Sequence, residues 1–120
     1  MNQKQLQDRL YSFALKIIQL VRSLPRELAG YEIGKQLIRS GTSIAANYEE
    51  ATAGFSKNDF IYKMSIAFKE SKESRLWLKL LSDSGLVKPS THVLELIRES
   101  DEIAKILARS LKTARMNSRS

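Results

Sequence analysis

One pattern governs what this chain can fold into: apolar residues recur in alternating steps of four and three, in four separate runs. Leu6, Leu10, Phe13, Ile17, Leu20 and Leu24 make the first run. At roughly 100° per residue such a series stays on one face of an α-helix, whereas a half-buried strand needs a period of two. Leu37, Gly41, Ile44, Tyr48 and Ala51 make the second run. Phe60, Met64, Ala67, Ser71, Ser74, Leu78 and Leu81 make the third, and Val93, Ile97, Ser100, Ala104, Leu107 and Leu111 the fourth.

The breaks between runs fall at residues that stop helices. Pro25 pushes Leu24 out of helical geometry, so the first helix should end near Ser23. The second starts between Pro25 and Glu32 and should end near Gly54, a left-handed cap position. Ser56-Lys57-Asn58-Asp59 reads as a capping box, with the Ser56 hydroxyl accepting from the Asp59 amide and the Asp59 carboxylate reaching back. Gly85 ends the third helix, and Lys88-Pro89-Ser90-Thr91 links to the fourth, with Ser90 or Thr91 as its N-cap. The predicted helices cover 3–23, 28–54, 57–83 and 91–115, followed by a fraying tail over 116–120. Short links force neighbours to run antiparallel, so the expected fold is an all-α, up-down-up-down four-helix bundle, one domain over 1–120. A chain of 120 residues buries about two-thirds of its unfolded surface, enough for one core.

The pattern also leaves apolar residues outside that core. Counted from Phe60, the seam of the third helix stays within about 60°, while Tyr62, Ile66, Trp77 and Leu80 fall at roughly 200–260°. An isolated bundle would expose this strip, which makes it the expected surface for self-association; the other reading folds Trp77 and Leu80 over neighbouring loops. Ser71, Ser74 and Ser100 lie on seams and are expected to bond back to helix carbonyls. Ser40, Gly41, Ser43, Ala45 and Ala46 predict close helix approach, with a kink at Gly41 as the alternative.

Chemistry is sparse. The chain has no cysteine and one histidine, His92, which excludes thiolate sites and the Glu-x-x-His pairs of di-metal bundles. His92 reads as an exposed residue at the start of the last helix. Glu70 and Glu73 are flanked by Lys69 and Lys72 and read as a solvated face with local ion pairs. There is no Gly-rich phosphate loop, GxSxG or HExxH. No catalytic, metal or cofactor residue is therefore expected, and the chain is not expected to be an enzyme. No run approaches the roughly eighteen apolar residues of a membrane span, and MNQKQLQDRL shows no signal-peptide pattern, so a cytoplasmic location is expected.

The charge is more informative. Twenty Lys and Arg against thirteen Asp and Glu give +7, which favours acidic partners. Arg98, Lys105, Arg109 and Lys112 step by seven, four and three and share a helix face. Asp101 and Glu102 can pair with Lys105, but beyond Glu102 no acid occurs, while Arg115 and Arg119 continue the basic series. Such a face is an electrostatic footprint for nucleic acid; it equally suits a solubilising face that complements the helix dipole. No aromatic interleaves these cations, so single-strand stacking gets no support there.

Larger pieces of the middle of the chain are recognisable together. Gln36-Leu37-Ile38-Arg39-Ser40, Ser43-Ile44-Ala45-Ala46-Asn47, Glu50-Ala51, Ser56-Lys57-Asn58-Asp59-Phe60, Lys63-Met64-Ser65-Ile66-Ala67, Lys69-Glu70 and Trp77-Leu78 stand in order after Leu24-Pro25. This set resembles the four-helix-bundle family encoded in intervening sequences of bacterial 23S rRNA genes, over roughly residues 10 to 82; the fourth helix matches by length only. The resemblance implies an antiparallel bundle and a ring-like homopentamer. It further suggests kinship with the accessory protein of diversity-generating retroelements, a basic oligomer that associates with reverse transcriptase and nucleic acid. It implies no catalytic residue, and Asn47 and Glu50 read as helix–helix hydrogen-bonding positions. Two readings stay open: a nucleic-acid-associated accessory protein, with RNA or DNA and a nucleic-acid enzyme as partners, or a purely structural oligomer with a basic soluble surface.

Overall fold

A computed structural model describes residues 1–88 and 91–118. The described residues form α1 (Gln3–Arg22), α2 (Leu28–Ala51), α3 (Lys57–Asp83) and α4 (Thr91–Ser118). Consecutive helices pack side by side in an antiparallel four-helix rod of 51 × 22 × 21 Å, and α1 meets α4 at far fewer points than the other neighbours meet. The fold is all-α, as the spacing requires.

The four runs become the core. Leu10, Phe13, Ile17, Leu37, Ile44, Met64, Leu78, Leu81, Leu107 and their run-mates are buried, while Leu24, Phe60 and Ile97 pack half-buried at its edge. Leu96 and Ile103 join from positions beside the fourth run. Among the described residues, no helix is long and apolar enough to cross a membrane.

Helix ends follow local hydrogen bonds. Asn2 caps α1 through a full capping box with Gln5, whose amide donates to the Asn2 side chain while the Gln5 side chain accepts from the Asn2 amide. Only half of the box expected at α3 forms: the Asp59 amide donates to Ser56 Oγ at 3.0 Å, without the return bond. α2 ends at Ala51 rather than Gly54, where the Ala53 amide bonds the Glu50 carbonyl three residues back and the Thr52 hydroxyl shares the Tyr48 carbonyl. Gly54 and Gly85 then take the left-handed conformation, with φ of 85° and 80°. At the other end, α4 is helical through Ser118, past the start of the expected frayed tail, with buried Ala114 holding the added turn to the bundle. Pro89, the cap expected at Ser90, and Arg119 lie outside the described residues, as does the Thr91 side chain.

The small residues of α2 mark close approach. α2 is unbroken at Gly41, where an added Cβ would meet Ile17 Cγ2 of α1 at 3.0 Å. Gly30 is tighter still, since a Cβ there would lie 2.4 Å from the Pro25 carbonyl oxygen. Of the seam serines, Ser71 and Ser100 donate to carbonyls of their own helices at 2.6 and 2.7 Å. Ser74 instead donates across the bundle to Ser40 Oγ at 2.9 Å, both residues fully buried.

Candidate nucleic-acid interface

The basic residues of α4 lie along one exposed ridge of the helix but border different grooves. All four are exposed, but only Lys112 and Arg109 border grooves; Arg98 borders none of those described, and Lys105 sits 3.8 Å from Glu102. Lys112 lies with Arg115 of α4 and Lys69 of α3 around a groove of about 510 Å³, whose other walls include Phe68, Leu111 and Met116. No carboxylate is among its lining residues. Arg109 borders a second groove of about 520 Å³ with Lys57 and Phe60, on the other side of the same ridge.

Lys69 corrects an expectation. The sequence pairs it with Glu70 and Glu73, yet both carboxylates turn to Arg39 of α2, at 2.8 and 2.5 Å. Hydrogen bonding from that guanidinium holds the Glu73 carboxyl below its ordinary range. Burial, working against the same guanidinium, pushes Glu70 up. Neither carboxylate pairs with Lys69, which borders the groove.

The same diversion recurs across the bundle. Asp101 pairs with Arg75 of α3 at 2.7 Å rather than with Lys105. Glu99 takes both Arg9 Nε and Nη2 of α1, at 2.8 and 2.6 Å, and Glu50 takes Lys63 at 3.0 Å. Glu50 thus bridges two helices as expected, whereas Asn47 donates to the Ser43 carbonyl within α2. Glu50, Glu70, Glu73, Glu99 and Asp101 thus clasp neighbouring helices rather than the cations beside them in sequence.

The second apolar strip is uneven. Tyr62 is 61% exposed and Leu80 41%, while Ile66 and Trp77 are half-buried. Trp77 packs against the core and its indole N–H donates to Glu73 at 3.2 Å. Lys63 Nζ stands 5.9 Å from the centre of the Tyr62 ring. The strip is therefore interrupted by the Arg39–Glu70–Glu73 network. His92 is exposed in the first turn of α4, beside the cleft between α1 and α4.

The 23S rRNA-intervening sequence protein family matches residues 3–109, and the chain belongs to that family. A solved structure from Bacteroides thetaiotaomicron, a protein of unknown function of the S23 ribosomal protein family, superimposes with a TM-score of 0.84 at 36% sequence identity. The match covers 93% of this chain and 99% of that one. No curated protein matches the sequence.

Proposed function

We propose that this member of the 23S rRNA-intervening sequence protein family is a non-enzymatic, nucleic-acid-associated accessory protein that acts as a homo-oligomer, with the homopentamer as its assembly. The α3–α4 groove carries the reading: Lys69, Lys112 and Arg115 converge over Phe68 and Met116 with no carboxylate in the lining. Cations gathered in this way attract a phosphate backbone irrespective of sequence, and the affinity falls steeply with salt as counterions are released. Repetition of the groove around an oligomer multiplies a weak single contact. Exposed Tyr62 and Leu80, with Ile66 between them, supply apolar surface for the assembly.

Fluorescence anisotropy with labelled RNA and DNA duplexes tests the site. Joint replacement of Lys69, Lys112 and Arg115 by Gln should weaken binding to all sequences and flatten the salt slope by about one unit per cation that contacts phosphate. Arg109, on the other flank of α4, should matter less. Light scattering tests the assembly, with Ile66→Asp expected to give a helical monomer. An intact oligomer that binds neither RNA nor DNA at low salt hands the case to the purely structural reading, which the exposed strip favours.

A further inference from the structure

The turn from α1 into α2 holds a second basic groove, of about 440 Å³, made by residues that are far from α4 in sequence. Gly30 creates it: its missing side chain lets the first turn of α2 close onto the Pro25 carbonyl, which brings Arg22, Arg26 and Lys35 around one depression. None of these three cations forms an ion pair with a described carboxylate. Glu27 lies nearby, its Cγ 3.9 Å from the place a Gly30 Cβ would take, but no carboxylate is among the lining residues. Tyr31 borders the same depression, 60% exposed, while its amide is fixed to the Glu27 carbonyl at 3.0 Å. Leu24 and Ile38 complete an apolar wall.

An exposed aromatic among unpaired cations is the combination that α4 lacks. A base can lie on the phenol ring, where stacking tolerates any base, while the guanidinium and ammonium groups take the phosphate it carries. The volume falls within the range of small-ligand pockets. In a duplex the bases are paired and stacked inward and cannot reach Tyr31 without being flipped out.

We propose that this groove binds a nucleotide, an aromatic base joined through its sugar to a phosphate, as a nucleoside monophosphate or as one unit of a single strand, with the base on Tyr31 and the phosphate among Arg22, Arg26 and Lys35. The proposal rests on the preceding reading only for nucleic acid as the source of a strand, and on none of its residues.

The test uses the intact chain, a labelled single-stranded oligonucleotide and a labelled duplex in anisotropy, with adenosine monophosphate and inorganic phosphate as competitors. Tyr31→Ala should weaken single-strand binding about fivefold or more, with helix content unchanged because the ring is exposed. Tyr31→Phe should retain the binding, and duplex binding should respond to neither variant. Arg26→Gln with Lys35→Gln should weaken the strand and lower its salt slope by about two. Competition by adenosine monophosphate identifies a free nucleotide as sufficient; strand binding without it identifies the single strand, and either result supports the groove. Full single-strand binding by Tyr31→Ala, or displacement by inorganic phosphate as effective as by the nucleotide, overturns the proposal. Loss of duplex binding in the Lys69/Lys112/Arg115 variant with Tyr31→Ala unaffected sinks this groove alone, and the reverse pattern sinks the α3–α4 reading alone.

Discussion

The α2–α3 and α1–α4 seams are both antiparallel helix contacts, yet they are built on different terms. Between α2 and α3, Ser40 and Ser74 let the helices approach until their hydroxyls bond at 2.9 Å, and Arg39 clasps Glu70 and Glu73 outside them. Between α1 and α4 a cleft of about 470 Å³ remains, bordered by Lys16, His92 and Glu95 and bridged by Arg9 and Glu99. The charged borders of the second seam would have to be desolvated to close it, whereas small buried serines let the first close. The bundle is tight where small residues face each other and open where charged ones do.

The change that breaks the tight seam most severely is Ser74→Leu. It drives extra volume between fully buried serines, at about 1–3 kcal/mol, and should lower Tm by roughly 5–10 °C in thermal denaturation. If the seam is as loose as that between α1 and α4, Tm will hold. Arg9→Gln should act on the open seam only. A half-exposed ion pair contributes about 1 kcal/mol or less, so its loss should speed amide exchange in α1 without altering exchange in α3. Uniform acceleration across all four helices would contradict the difference between the seams.

Acid gives the smallest and finest test. Glu73 sits below its ordinary carboxylate range because Arg39 bonds its charged form, so its contribution is present above the unfolded value and is lost as pH falls through the lowered one. Glu70, raised by burial, has the opposite sign and takes its proton first. Side-chain carboxyl NMR should therefore show Glu70 titrating above Glu73, with the Arg39–Glu73 clasp surviving after Glu70 is neutral. The reverse order would mean that Arg39 favours Glu70.

Much of the architecture was legible because periodicity is local. Leu6 through Leu20 and Leu37 through Ala51 announce their buried faces within a few turns, and Gly54 and Gly85 announce the turns. What pairs with what was not legible. Lys69 looked neutralised by Glu70, its sequence neighbour, but Glu70 reaches Arg39, 31 positions away. Asp101 was diverted from Lys105 to Arg75 in the same way. Arg22 and Lys35 border one groove across the α1–α2 turn, where Gly30 lets α2 close onto Pro25, a juxtaposition no helical wheel contains. Asn2 lay in plain view as a cap with Gln5, since Asn followed three residues later by Gln is a capping signature.

The glycines and serine that line the inner face of α2 have a consequence for how sequence change is tolerated. α2 is a mould: Gly30, Gly34 and Gly41 accept Pro25, Val21 and Ile17, and any added methyl there would sit 2.4–3.0 Å from them. α1 is the casting, with Ile17 and Val21 filling the space offered at Gly41 and Gly34. The two helices should therefore fail in opposite directions, α2 by enlargement and α1 by truncation, where each lost large side chain leaves a void worth about 2–5 kcal/mol. A paired exchange, a larger residue at position 41 with a smaller one at 17, is the route by which the two could drift together while keeping the volume between them constant.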